Sequence, residues 1–290
     1  MSKKEKKKIY SKWTKIRNMI VYFNGKYIDE NKVSLSIKDR GFLLGDGVFE
    51  TILYKNKKLI FFDLHTKRLK KSLKRIFINF NESKRSLSNK INNLIKRNNL
   101  ENDNLSIRIT ITRGNSERGI DILPNSNAFL LITSSKIKNN LRMKPLKLCI
   151  SNMLRNETSI TSKYKTINYL DNIVAKHEAI KSKFDDALFI NTKNNICCSS
   201  TSNFFYREDK RIFTPPIEDG VLDGTIREIL IAKRKVAVKS IKLSNLKNCK
   251  EVFITNSLFG IRPVEKIEKF NFNIGQDTYD IDKFLSNLGM

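Results

Sequence analysis

Residues 105 to 112 read Leu-Ser-Ile-Arg-Ile-Thr-Ile-Thr, an unbroken alternation of apolar and polar side chains, and no other stretch constrains the fold as tightly. Side chains two apart share a face on a strand but not on a helix. Leu105, Ile107, Ile109 and Ile111 are therefore expected to be buried together, with Ser106, Arg108, Thr110 and Thr112 on the other face. The apolar run AFLLIT that follows at 128–133 reads as a fully buried strand. Helical spacing covers the flank: Leu64, Leu69, Leu73 and Phe77 form one stripe beginning near Asp63, and Leu87, Ile91 and Leu94 form another. Nearer the start, FNGKYI reads as a hairpin turning at Asn24-Gly25, because a tight hairpin turn needs positive φ at both central residues.

Strand and helix signals return after a polar run, SSKIKNNLRMK. LKLCI alternates, a helical pattern spans 167–181, ALFIN and SNFFY read as strands, a helix follows Gly224, and strands are expected near VAVKSI and EVFIT. The expected class is α+β, with α/β character, in two domains: 19–133 and 145–290, joined by a linker at 134–144 and preceded by a basic tail at 1–18.

Composition narrows the function classes. The 290 residues are 40% apolar, enough for two cores, and no segment approaches the ~20 uninterrupted apolar residues of a membrane span. The opening MSKKEKKK has no apolar stretch behind it of the kind a secretory signal carries, so a soluble, cytoplasmic protein is expected. Cys149, Cys197, Cys198 and Cys249, with His65 and His177, suit neither a disulfide scaffold nor a metal site; reduced thiols and no metal are expected. A net charge of +27, from 56 basic and 29 acidic residues, raises the question of nucleic acid. The lysines are scattered among Asn and Ile along the whole chain, without interleaved aromatics, which favours a solvated surface over an RNA site.

Three short stretches carry candidate chemistry. DRGFLLGDGVFET at 39–51 concentrates glycine. GVLDGTIRE at 220–228 places Thr225 at the start of a helix, where free N–H groups and a hydroxyl either hold an anion or simply cap the helix. FITNSLFGIRPV offers Asn256 and Ser257 at a strand-to-loop junction.

With FFDLHTKRL, TRGNSERG, YKTINYLDNIVAKHEA and TSNFF, these stretches stand in an order and spacing that resemble the class IV aminotransferases, the pyridoxal 5'-phosphate enzymes of fold type IV, over nearly everything from Met19 onward. The resemblance implies that Lys165 binds the cofactor covalently and moves a proton at the substrate's α-carbon; lysine is required because its amine forms the Schiff base. It also implies a phosphate cup made of Arg68, Thr225, the N–H of Ile226, Ser257 and Asn256, an arginine being suited to a two-pronged grip on phosphate oxygens. Tyr169 is placed at the cofactor's phenolic oxygen, Phe49 in the substrate pocket, and Arg118 at a substrate carboxylate, with Arg108 on the preceding strand directed to the same space. One departure stands out: five residues before Asn203, where relatives carry a glutamate that keeps the pyridine nitrogen protonated, this chain has Cys198.

The resemblance implies a homodimer and a small-molecule substrate, and it leaves the reaction open. Transamination of an amino acid, of the branched-chain type, is the first expectation. The alternative is 4-amino-4-deoxychorismate lyase, which releases 4-aminobenzoate and pyruvate. Ile120 stands where D-amino-acid enzymes carry a histidine, Thr51 is closer to the lyase and D-amino-acid groups, and Cys197-Cys198 is loosely similar to a pair in some lyases. A relative that binds the cofactor or RNA without catalysis is the reading from another class.

Overall fold

The computed structural model describes residues 18–123, 127–137, 140–234 and 236–290. The basic tail read at 1–18 lies outside the described residues except for Asn18.

The alternating stretch is the centre of the first sheet. Strands β1 (Ile20–Phe23), β2 (Lys26–Asp29), β3 (Gly47–Lys55), β4 (Lys58–Leu59), β5 (Leu105–Thr112) and β6 (Phe129–Lys136) pair antiparallel in the order β2-β1-β6-β5-β3-β4. Its register sets Phe49 opposite Thr110 and Thr51 opposite Arg108. Leu105, Ile107, Ile109 and Ile111 are all buried, as the period of two demands. The short helix α1 (Arg40–Leu44) precedes β3, while α2 (Phe62–Arg75) and α3 (Lys84–Arg97) lay Leu69, Leu73, Leu87, Ile91, Leu94 and Ile95 into the same core. The hairpin turns at Asn24-Gly25, with φ of 45° and 97°.

The second sheet is mixed and closes on itself. Strands β7 (Leu146–Ile150), β8 (Asp186–Ile190), β9 (Ile196–Ser199), β10 (Asn203–Glu208), β11 (Arg211–Thr214), β12 (Ala237–Val238), β13 (Glu251–Asn256), β14 (Gly260–Ile267) and β15 (Phe270–Asn271) run in the order β12-β11-β10-β13-β14-β7-β8-β9, with β15 on β14. One further pairing, Asn203 with Cys198, joins β10 to β9 and completes a barrel-like ring. Leu146, Leu148, Leu188, Phe204, Ile254 and Val264 belong to the core of this half. Four helices flank it: α4 (Ile160–Lys163), α5 (Leu170–Lys181), α6 (Thr225–Arg234) and α7 (Gln276–Asn287).

Several local expectations shift. Phe77 leaves the helical stripe because α2 ends at Arg75; Phe77 takes a φ of 57° and is 67% exposed, and Ile78 turns into the core instead. β6 runs on to Lys136, into the stretch read as linker, because Ser134 and Ser135 still pair with Ile107 and Ser106. The helix read from 167 begins at Leu170, and of VAVKSI only Ala237–Val238 pairs as a strand.

Candidate active site

Between the two sheets lies a cavity of about 720 Å³, within the range of small-molecule sites. β3, β5 and α2 line one side; the segment before α5, the β9–β10 turn, the start of α6 and the β13–β14 turn line the other.

Lys165 reaches this cavity through its backbone. α4 stops at Tyr164, whose extended φ and ψ (−115°, 151°) send the chain antiparallel along β3. The Phe49 N–H donates to the Lys165 carbonyl at 2.9 Å, and the Ile167 N–H donates to the Gly47 carbonyl at 3.1 Å. Alternation along this short extended stretch buries Thr166 and turns Lys165 to the cavity. Gly47 eases the packing there: a Cβ would stand 3.1 Å from the Ile167 Cδ1 of this segment and 2.5 Å from the Ile111 carbonyl oxygen on β5. The Lys165 Nζ donates to the Tyr169 hydroxyl at 3.0 Å and lies 4.3 Å from the centre of the Phe49 ring. The two rings meet edge to face at 5.0 Å.

Arg68 enters from α2, held by a partner to which the sequence reading assigned no role. Glu50 on β3 accepts from the Arg68 Nε at 2.8 Å and Nη2 at 2.7 Å, while its Oε2 also lies 2.7 Å from the Nδ1 of His65. Burial pushes the Glu50 carboxyl up, but the Arg68 charge and the hydrogen bonds from Arg68 and His65 outweigh it and hold it at about 2. Burial pulls His65 below its ordinary value despite Glu50, so His65 is a neutral imidazole at neutral pH, donating through Nδ1. The guanidinium is thus gripped on one edge by a carboxylate, and Nη1 donates to the Asp223 carbonyl at 3.1 Å.

Across the cavity, the Thr225 and Ser257 hydroxyls are 2.9 Å apart at the N-terminus of α6, where the first helical N–H groups lack intrahelical acceptors. Gly224 brings the helix end in tightly, since a Cβ there would fall 1.8 Å from the Asn203 Oδ1. Arg68, Thr225, Ile226 and Ser257 share the lining, a set of donors of the kind that can hold an anion. Asn256 lines it too, but its Oδ1 accepts from the N–H groups of Leu258 and Phe259, so the carboxamide caps its own turn.

Arg108 stands 3.8 Å from the Phe49 ring centre, so it is no further from the Lys165 amine than the sum of their two distances to that ring. Its Nε donates to Thr110. Arg118 does not reach the cavity in this chain; it is exposed on the 114–121 loop. Cys198 lines the cavity, and burial pushes its thiol up although the Arg155 charge opposes this. Arg155, outside every quoted stretch, and Asn172 and Arg262, inside two of them without an expected role, are further lining residues.

The fold and this lysine-centred cavity define an enzyme of the class IV amino-transferase family. The family's sequence profile matches residues 47–267, and the chain belongs to it. It is 29% identical over 259 residues to the aminodeoxychorismate lyase of Bacillus subtilis, covering 87% of this chain and 88% of that one. A putative 4-amino-4-deoxychorismate lyase structure from Legionella pneumophila is 31% identical, with a TM-score of 0.81 over 89% of this chain and 96% of that one. The branched-chain aminotransferase of Thermoproteus uzoniensis with norvaline shares the fold at a TM-score of 0.86 and 24% identity, over 94% of this chain and 95% of that one.

Proposed function

We propose that this chain is a pyridoxal 5'-phosphate-dependent aminotransferase that moves an amino group between an amino acid and a 2-oxo acid. The observation that carries the reading is the Lys165 amine, 3.0 Å from the Tyr169 hydroxyl, in the same cavity as a phosphate-sized cup of one arginine, two hydroxyls and a helix end. Donor chemistry fits the cofactor at each functional group: a primary amine for the aldehyde, Arg68, Thr225, Ser257 and the Ile226 N–H for the phosphate, and Tyr169 for the phenolic oxygen.

When bound, the cofactor supplies the electron sink that makes a substrate's Cα–H acidic. The Lys165 Nζ would take that proton and return it; Tyr169 and the Phe49 face keep this Nζ oriented and partly shielded from water. Arg108, with no carboxylate partner among the described residues and a guanidinium pulled down by burial, is poised for a substrate carboxylate near the reacting carbon.

A homodimer belongs to the same proposal. Phe42 and Leu43 on α1 are exposed beside Leu170 (71%) and Ile173 on α5, the two elements being joined by the Asn168 Nδ2 bond to the Gly45 carbonyl. The Arg40 guanidinium ties the 119–121 loop to the start of α1, so a second copy seated on this face would also meet the loop that carries Arg118. Leu170→Asp is expected to convert a dimer into a monomer by light scattering; a monomeric wild type rejects the arrangement.

The second reading, 4-amino-4-deoxychorismate lyase, is favoured by Cys198. An elimination that creates an aromatic ring supplies its own driving force and tolerates a weaker electron sink, and the Bacillus and Legionella relatives carry that name. The experiment that separates the readings incubates cofactor-loaded protein with amino acids, including both enantiomers of glutamate, and with 4-amino-4-deoxychorismate. Conversion of the cofactor to its amine form by an amino acid supports transamination. Release of 4-aminobenzoate without an oxo-acid acceptor, and no conversion by amino acids, replaces it with the lyase.

A further inference from the structure

Arg155 is a buried cation that the cavity leaves without a counter-charge. It is 9% exposed, anchored by its backbone N–H to the Ile190 carbonyl at 2.8 Å, and its guanidinium packs 4.1 Å from the centre of the Phe189 ring. Nη1 donates to the Asn172 Oδ1 at 3.4 Å, the guanidinium also hydrogen-bonds the Cys198 side chain, Nε is sealed off without a partner, and the residue lines the cavity. Among the described residues no carboxylate lies within ion-pairing distance of it. The nearby acids are committed elsewhere. Asp186 accepts from the Ser200 hydroxyl and the Ala187 N–H and faces Lys176 at 3.6 Å. Glu157 accepts from Thr192, and the Asp219 Oδ1 accepts from Asn195 and Asn191 while its Oδ2 is buried without a partner and makes no ion pair with Arg155. The Cys197 and Cys198 thiols are both pushed up by burial and stay protonated at neutral pH.

A buried guanidinium without a counter-charge opposes any second positive charge close by. In pyridoxal phosphate the ring nitrogen lies para to the aldehyde carbon. It is the polar atom left over once Lys165, Tyr169 and the phosphate cup are assigned.

We propose that Arg155, together with the Cys198 thiol, meets the ring nitrogen of the bound cofactor with hydrogen-bond donors alone, so that this nitrogen stays unprotonated. Arg155 and Cys198 thereby act as tuning residues, weakening the electron sink that a carboxylate at position 198 would strengthen. The inference rests on the cofactor reading above, which is tested separately by borohydride trapping at Lys165.

The test is the nitrogen-15 spectrum of the holoenzyme loaded with ring-labelled pyridoxal phosphate. In the wild type at pH 7 the unprotonated species is expected to outnumber the protonated one by at least about tenfold. Cys198→Glu is expected to shift the signal to the pyridinium position, and Arg155→Met to move it away from the wild-type value with the cofactor still bound. A pyridinium signal in the wild type overturns the inference, and an unchanged signal in Arg155→Met removes Arg155 from it. If a variant does not fold, the wild-type spectrum decides. Trapping at a lysine other than Lys165 overturns the cofactor reading instead, so the two failures are distinguishable.

Discussion

Replacing Lys165 with alanine is expected to lower turnover by more than ~10³-fold, the upper part of the range for losing a positioned proton-transfer group, and to abolish reductive trapping of the cofactor. Stability should barely move. The side chain is half-buried, its polar contact is to the Tyr169 hydroxyl, and the backbone bonds tying this segment to β3 belong to the Lys165 carbonyl and the Ile167 N–H, which alanine keeps. A melting temperature close to wild type beside inactive, untrapped protein is the expected pair of results. Wild-type turnover in the alanine variant would remove Lys165 from the mechanism.

Glu50→Gln should be the most damaging change among the residues that do not face substrate. Glutamine keeps the shape but leaves Arg68 buried without its carboxylate, a situation that costs about 3–5 kcal/mol. The acid dependence changes with it. Glu50 has a folded value of about 2 against an ordinary 4.5, so its contribution is fully present above 4.5 and is lost as pH falls toward 2. His65, lowered by burial, acts with the same sign, because the unfolded chain takes up its proton first as pH drops. Urea midpoints measured across this range should fall steeply in the wild type and less steeply in Glu50→Gln; parallel curves would show that the carboxylate is not the charged partner of Arg68. The same variant should retain pyridoxal phosphate less well, since Arg68 loses the partner that aims its fork.

What was legible in the sequence was mostly what local periodicity can carry. The Leu105–Thr112 alternation is β5 from end to end, and the positive-φ requirement located the turn at Asn24-Gly25. Lys165, Arg68, Thr225, Ile226, Ser257, Phe49, Arg108, Tyr169 and Cys198 all line one cavity. What was missed depends on contacts between distant residues. The Asn203–Cys198 closure joins strand ends separated by a tight turn and carries no period of its own. Glu50 sat within a quoted motif, but its role appears only when α2 brings Arg68 and His65 against β3. Arg155 lies in an irregular loop and acquires its setting from Phe189, Asn172 and Cys198. The Asn256 carboxamide illustrates the converse: it lines the cavity, but its Oδ1 is taken by its own turn.

Because Phe49, Arg68 and Arg108 come from one half of the molecule and Lys165, Cys198 and Thr225 from the other, a ligand filling the cavity adds a clasp between halves that already share an apolar cluster, in which Leu53 and Ile60 pack with Phe205, Ile226 and Leu285. Occupancy strengthens that joint by mass action. The colour of the bound chromophore would then report the integrity of whichever half gives way first.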